Sequence, residues 1–237
     1  MSKHKIHQEK EACKKDITVI IPAAGAGRRM KSYGPKSLIK IKRNKSILDN
    51  QIQVINNAFA SSQIILVCGF EATKLMNETC DDLIKVENEL YDSTNVVRSI
   101  GMGLRATDSN SVLILYGDLV LNQQTLDSLD YNTSCISVSD KHMGEEEVGC
   151  IINDKGYLEH MMYDLPKKWN QILYLTGKEL EKFKKISWDT KNKTIFGFEA
   201  INKLIQSDNK IKCIDDPKAI VIDIDTSKDL ERAKGII

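Results

Sequence analysis

The sequence has no Cys-x-x-Cys pair, no apolar run approaching a membrane span, four prolines and almost no net charge, and each absence removes a class of function. Six cysteines, at positions 13, 68, 80, 135, 150 and 213, are scattered, with most in apolar or mixed segments where a reduced thiol packs as a small hydrophobe. That usage argues against a disulfide framework or a structural zinc site and leads us to expect a cytoplasmic protein. The N-terminal stretch MSKHKIHQEKEACKKD is polar throughout, so neither a signal peptide nor a membrane span is expected. With 34 Lys and Arg against 33 Asp and Glu, the formal net charge is +1, and no global field draws the chain toward nucleic acid or anionic lipid. The four histidines, at 4, 7, 142 and 160, are dispersed, which gives no support to a histidine base or metal site. Any electrostatic function must be local.

What is present fits one substantial soluble domain: 237 residues, 41% of them hydrophobic, suffice for a single core. Residues 1–16 lack apolar periodicity and read as a flexible extension. From Ile17 onward, short apolar runs (17–21, 63–68, 83–86, 111–116) alternate with segments of helical period (46–59, 71–80, 94–106, 123–129), the signature of a mostly parallel sheet covered by helices on both faces. Ser46 with Asp49, and Thr226 with Asp229, stand at the offset of a capping box. After about residue 133 the pattern changes. The segment VGCIINDKGYLEHMMY predicts a hairpin turning at Asn153–Gly156, helices follow over 176–185 and 194–206, residues 218–224 read as a returning strand, and 226–236 as a closing helix. The expected organisation is an α/β domain over 17–237, its core formed by 17–132 and 210–237 and a smaller lobe inserted at about 133–209. In open sheets of this kind, ligands bind beyond the carboxyl ends of the strands.

The stretch VIIPAAGAGRRMKSYGPKSL carries the local field. Pro22 ends a strand, and Ala23-Ala24-Gly25-Ala26-Gly27 leaves a turn with almost no side chains, so backbone N–H groups can approach an anion. A dinucleotide fingerprint would need a third glycine where Met30 stands, and a Walker loop would need Gly-Lys-Ser/Thr; neither is present. Between Ile17 and Leu48 there are eight cationic residues and no acidic one. A basic surface for RNA would satisfy that count, but Tyr33 is the segment's single aromatic and offers no stacking platform.

PAAGAGRRM followed by PKSL resembles the signature of the nucleotidyltransferases of the sugar-nucleotide and cytidylyltransferase superfamily, where a strand ends in A-A-G-x-G-x-R-M and a P-K pair follows. The matching positions are Ala23, Ala24, Gly25, Gly27, Arg29, Met30, Pro35 and Lys36. The resemblance implies a three-layer Rossmann-like fold with a mixed, mostly parallel sheet and a small inserted acceptor-binding lobe. It makes Arg29 and Lys36 catalytic and assigns nucleotide binding to Pro22, Ala23, Ala24, Gly25, Ala26 and Gly27, with Arg28, at a variable position, adding charge. Transfer of a nucleotidyl group also calls for a divalent cation on carboxylates at strand ends. LILYGDLVL resembles the family's strand-Gly-Asp element and VIDIDTSKDLERA its closing motif, which places Mg²⁺ on Asp118 and Asp225 with Asp223 in reserve. Taken alone, Gly117-Asp118 would also suit a turn and Asp225 a helix entry.

NELYDSTNVVRSIGMGL resembles the phosphocholine-type cytidylyltransferases through Tyr91, Thr94, Asn95 and Ser99, and its ending resembles methylerythritol-phosphate cytidylyltransferase. Asn95 and Ser99 are thereby expected to read the edge of a pyrimidine, although Val96 stands where the family often has a second Asn. The same residues would serve as an ordinary helix start, with Ser93 or Thr94 as cap. In the lobe, Tyr163, Lys168 and Trp169 are candidates for binding the acceptor, with Glu145-Glu146-Glu147 supplying charge to a cationic head group; these aromatics, with Tyr174, would equally make a small core. The resulting expectation is a Mg-dependent cytidylyltransferase that joins CTP to a small phosphorylated or phosphonylated acceptor (phosphocholine-like, aminoethylphosphonate or a phospho-amino acid) and releases pyrophosphate. A sugar-1-phosphate thymidylyl- or uridylyltransferase, a molybdenum cofactor guanylyltransferase-like enzyme and a nucleotide-sensing domain are the alternatives. Nucleic acid and membrane are not expected as partners, and the oligomeric state, a homodimer included, is left open.

Overall fold

The computed structural model of the chain describes residues 17–27, 34–140 and 147–235. Its first half runs β1 (Ile17–Pro22), a 3-10 turn at Lys36–Leu38, β2 (Lys40–Lys42), β3 (Lys45–Ser46), α1 (Ile47–Ala58), β4 (Ser62–Cys68), α2 (Ala72–Asn77), β5 (Ile84–Glu87), α3 (Val96–Arg105), β6 (Ser111–Leu115), β7 (Leu119–Leu121) and α4 (Gln123–Asp127). The second half continues with β8 (Cys135–Ser139), β9 (Val148–Ile152), β10 (Leu158–Tyr163), β11 (Lys167–Thr176), α5 (Gly177–Trp188), α6 (Gly197–Ile205), β12 (Lys212–Asp215), β13 (Val221–Asp223) and α7 (Ser227–Lys234). Strands β5, β4, β1 and β6 lie side by side and parallel. The architecture is the mixed α/β sheet with a parallel centre that the alternating pattern predicts.

Period two in β1 sorts its side chains between two cores. Ile17, Val19 and Ile21 face one side with Leu48 and Ile55 of α1 and Leu75 of α2, whereas Ile20 faces the other with Val97, Ile100 and Leu104 of α3 and Phe183 of α5. Helices thus cover both faces, and each fully buried aliphatic side chain contributes about 1.5–3 kcal/mol of burial free energy. A third, smaller core joins Ile39, Ile41, Ile47, Val120, Ile222, Ile224 and Leu230. It brings together the segment after the glycine loop, the β7–β13 ribbon and α7. These three parts of the chain are therefore anchored to one another.

Two local expectations change. Residues 221–223 pair antiparallel with 119–121 in a separate two-stranded ribbon instead of returning to the main sheet, because Ile222 and Ile224 are buried in the third core. The cap of α3 is Asn95, not Ser93 or Thr94: the Val96 N–H donates to Asn95 Oδ1 at 2.8 Å. The Asn153–Gly156 turn and its antiparallel hairpin are present, as β9 and β10. Strand β11 pairs antiparallel with β6 and also with β8 and β9, so the segment after residue 133 extends the same sheet. No helix of the described residues is long and apolar enough to cross a membrane.

Candidate active site

At the carboxyl end of β1 the chain is clamped before it becomes a loop. The Ala23 N–H donates to Val67 O at 2.8 Å, the Phe70 N–H to Ala24 O at 3.0 Å and the Gly117 N–H to Pro22 O at 3.3 Å. Gly69 permits this contact, since a Cβ there would stand 2.7 Å from the Ala24 carbonyl oxygen. Beyond the clamp a Cβ on Gly25 would meet nothing within 4 Å among the described residues, which leaves room for a ligand to reach the backbone. Gly27 adopts a left-handed φ of +52°, and its missing side chain makes way for the stem of Lys36, whose Cγ a Cβ would approach to 2.9 Å. Glycine here directs a lysine at Gly27 as well as leaving the backbone open at Gly25.

The Lys36 ammonium lies 3.2 Å from Asp118 Oδ2 and 2.5 Å from Asp225 Oδ1. Burial alone would push its pKa down, but attraction to Asp118, the hydrogen bond to Asp225 and the nearby Asp223 raise it above the usual lysine value. It is a permanent cation at neutral pH. Helix α1 holds the turn that carries Asp118: Gln51 Nε2 donates to the carbonyls of Tyr116 and Leu119, each at 2.8 Å, and Asn50 Oδ1 accepts from the Leu121 N–H at 3.1 Å. The Ile224 N–H donates to Asp118 O at 3.1 Å, which fixes the two aspartate-bearing segments together.

Asp118, Asp223 and Asp225 each offer a carboxylate oxygen within 4.8 Å of the other two. Burial, then the charges of Asp118 and Asp225, push the Asp223 carboxyl up to about 7, against the opposing pull of Lys36 and of a hydrogen bond from Gln171. Oδ2 of Asp223 accepts from Gln171 Nε2 at 2.7 Å, whereas Oδ1 is buried with no hydrogen-bond partner among the described residues. A buried carboxylate oxygen without a donor, beside two more carboxylates, is chemistry that a hard divalent cation fits.

These residues line one end of a cleft of about 850 Å³. Along its side, Asn88 Nδ2 donates to Thr94 Oγ1 at 3.1 Å and to Ser99 Oγ at 3.0 Å, holding the start of α3 in place. Ser99 and Asn95 both line the cleft. Asn95 is committed to structure through the α3 cap and through a 3.3 Å hydrogen bond from its Nδ2 to Thr194 O. At the far end stand Tyr163, Phe196 and Phe198, the tyrosine ring 5.4 Å from that of Phe198 and the two phenylalanines stacked at 6.0 Å. Trp169 packs edge-on against Tyr116 at 5.6 Å, and Lys168 forms an ion pair with Glu147. Gly197 lets α6 close on this group, because a Cβ would collide with the Tyr116 hydroxyl.

The structure therefore brings Pro22, Ala23, Ala24, Gly25, Gly27, Lys36, Asn95, Ser99, Asp118, Asp225, Tyr163, Lys168 and Trp169 to a single cleft. Ala26 lies in the loop between Gly25 and Gly27. Arg28 and Arg29 fall outside the described residues, as do Glu145 and Glu146. Of the aromatics, Tyr174 is core, Trp169 is mostly buried at the cleft wall, and Tyr163 is 42% exposed. Sequence reasoning did not single out Gln171, Asn88 or the Phe196–Phe198 pair. An Asn two residues beyond a predicted strand was an available signal for Asn88; no local signal existed for Gln171.

The sequence profile of the MobA-like NTP transferase domain matches residues 19–144. Among curated relatives, the bifunctional protein GlmU of Buchnera aphidicola subsp. Schizaphis graminum is 30% identical over 108 residues, and 2-C-methyl-D-erythritol 4-phosphate cytidylyltransferase of Colwellia psychrerythraea is 33% identical over 97. These matches cover 45% and 39% of this chain but only 23% and 37% of the relatives' own lengths. Among solved structures, the inositol-1-phosphate CTP transferase from T. maritima superimposes with a TM-score of 0.74 at 17% identity, over 92% of this chain and 94% of that one. CTP:phosphocholine cytidylyltransferase from Streptococcus pneumoniae gives 0.75 at 16% identity, over 93% and 98%. A UDP-glucose pyrophosphorylase gives 0.73 at 13%, over 94% and 98%. At these identities the likeness is one of fold.

Proposed function

The chain belongs to the MobA-like NTP transferase domain family, and from that premise we propose that it transfers CMP from CTP to a phosphate or phosphonate oxygen of a small acceptor, releasing pyrophosphate. The observation that carries the reading is the convergence of Lys36, Asp118, Asp223 and Asp225 at the mouth of the glycine loop. In the reaction, the acceptor oxygen forms a bond to the α-phosphorus while the bond from that phosphorus to the bridging oxygen of the β-phosphate breaks, and the electron pair leaves with pyrophosphate. The acceptor oxygen is already an anion near neutral pH, so no general base is required. The protein's work is to hold two mutually repelling anions in line and to stabilise the charge that develops on the leaving group.

The open backbone at Gly25 and the Lys36 ammonium would receive the triphosphate, with Arg29, by resemblance, as the second cation. Asp118, Asp223 and Asp225 would hold Mg²⁺, a fit supported by the orphaned Asp223 Oδ1. When bound, the divalent cation would offset charge on the phosphate oxygens, and Lys36 would exchange a carboxylate for a phosphate partner. Choice of CTP is supported by the Tyr91-Thr94-Asn95-Ser99 motif at the cleft wall and by structural neighbours that use CTP. A phosphocholine-like, aminoethylphosphonate or phospho-amino acid acceptor is supported by the aromatic end of the cleft and the Lys168–Glu147 pair. Sugar nucleotidyltransferases superimpose as well as the CTP-using neighbours do, which makes a sugar-1-phosphate uridylyl- or thymidylyltransferase the second reading.

The test is pyrophosphate release with Mg²⁺, pairing CTP, UTP, dTTP, GTP and ATP with phosphocholine, aminoethylphosphonate, phospho-amino acids and sugar phosphates. CTP with a small amino-bearing acceptor is expected to turn over fastest. Preference for UTP or dTTP with a sugar phosphate would establish the second reading. Silence across every pair would overturn both.

A further inference from the structure

We propose that Gln171 is a positioning residue that fixes the carboxylate of Asp223 so that its Oδ1 faces the divalent cation shared with Asp118 and Asp225; the inference rests on the metal assignment made above. Gln171 lies in β11, where the pairing with β8 shifts register between Trp169 and Leu173. Its φ is +58°, in the left-handed region that favours glycine and carries a steric cost for a residue with a side chain. Its φ departs from the strand conformation at this point, and the bulge turns the side chain out of the alternation of β11 into the cleft. There its amide donates to Asp223 Oδ2 at 2.7 Å, the shortest link between β11 and the aspartate-bearing ribbon that the hydrogen bonds record.

The consequence is specific to one oxygen. With Oδ2 anchored by a neutral donor, the remaining oxygen, Oδ1, is buried and has no partner among the described residues. Asp118 and Asp225 differ from it in this respect, because one oxygen of each receives the Lys36 ammonium, a cation that competes with a metal, whereas Asp223 is held by a neutral amide. Asp223 is thus the carboxylate prepared in advance for a cation, and Gln171 is what prepares it. A backbone strain retained at a site and coupled to a ligand-facing group is the arrangement in which an outlier has functional meaning, and partners of metal-holding carboxylates tune affinity by about 10–100-fold.

The experiment is Mn²⁺ binding to the purified full chain, followed by electron paramagnetic resonance without nucleotide or turnover, for the wild type, Gln171→Gly and Gln171→Leu. Both variants are expected to weaken Mn²⁺ by about tenfold or more. Melting temperature is recorded alongside: Gln171→Gly relieves the left-handed strain and is expected to melt no lower than the wild type, so that lost affinity there is not lost fold. Gln171→Leu keeps the bulk without the donor and separates the hydrogen bond from the volume. Undiminished Mn²⁺ affinity in both variants overturns the proposal alone, as does an acceptor KM that rises while Mn²⁺ binding is unchanged, which would make Gln171 an acceptor contact. A wild-type chain that binds no Mn²⁺ overturns the metal assignment and the proposal together.

Discussion

Lys36 shows how much a single residue can be made to do by its neighbours. Its stem crosses Gly27, its ammonium is held by Asp118 and Asp225, and the three aspartates keep it charged against the cost of burial. Lys36→Met and Asp118→Asn are each expected to lower turnover by on the order of 10²-fold or more, read as pyrophosphate release at saturating substrates; rates close to wild type would remove both from the chemistry. Two glycines of the same region predict opposite outcomes. Gly69→Ala sets a Cβ 2.7 Å from the Ala24 carbonyl and should lower the melting temperature by several degrees, since overpacking costs about 1–3 kcal/mol. Gly25→Ala meets no atom of the described residues and should leave the melt unchanged while raising the nucleotide KM. Equal effects on stability would refute the division between clamp and anion space. At this scale, the meeting of Lys36, Asp118 and Asp225 in one cleft was legible because each stands in a short motif that resembles the family's. Gln171 was not, because its importance lies in a backbone angle imposed by strand pairing, and Gln is a residue type that does not announce a left-handed turn.

Helix α1 belongs to the site without touching a substrate, through Asn50 and Gln51, which hold the turn around Asp118. Its first turn is fixed by a reciprocal cap: the Asp49 N–H donates to Ser46 Oγ at 3.1 Å, and Asp49 Oδ2 accepts from the Ser46 N–H at 2.7 Å. Ser46→Ala is expected to cost about 1 kcal/mol, which lowers the melting temperature by about 2–4 °C in a chain of this size. The pH dependence follows from Asp49. Burial would raise its pKa, but the hydrogen bonds from Ser46 and the charge of Lys40 outweigh it and hold the carboxyl below its ordinary value. A depressed pKa in the folded state means stability that is present above the unfolded value of about 3.9 and lost as pH falls through the folded one. Asp49→Asn should therefore melt lower than wild type at pH 7, and the gap should close in acid; a gap independent of pH would show that the cap does not act through the carboxylate. This cap was legible in the Ser46–Asp49 offset. The cap of α3 was misplaced by one or two residues because Ser93, Thr94 and Asn95 are all competent caps, and the choice is made by the carbonyl of Lys193, which accepts the Asn95 N–H at 2.8 Å across a separation in sequence that local patterns do not encode.

At the scale of the molecule, the cleft joins two ends built by different parts of the chain. The parallel strands and α7 bring cations and carboxylates to one end, and β10, β11 and the start of α6 bring aromatic rings to the other. Strand and helix alternation made the first end readable, since each βα unit is contiguous in sequence. The second was obscure because β11 reaches β6 antiparallel across more than fifty residues, from Ile172 to Leu115, and because Phe196 and Phe198 flank Gly197 in a segment that reads as an ordinary helix start. This division of labour predicts separable kinetics. Phe196 is 50% exposed and Tyr163 is 42% exposed, so truncating either removes little buried core and should leave the melting temperature within a few degrees of wild type. Phe196→Ala and Tyr163→Ala should raise the acceptor KM several-fold, at about 0.5–1.5 kcal/mol for a lost ring contact, with the nucleotide KM unchanged. Arg29→Ala, at the cation that the family resemblance makes catalytic, should raise the nucleotide KM or lower turnover and leave acceptor binding untouched. The measurement is a two-substrate matrix of initial rates, varying nucleotide at fixed acceptor and acceptor at fixed nucleotide. If the aromatic substitutions altered the nucleotide KM and spared the acceptor, the assignment of the two ends would be reversed, and the nucleoside would have to sit against Tyr163 and Phe196 with the acceptor beside Asn95 and Ser99.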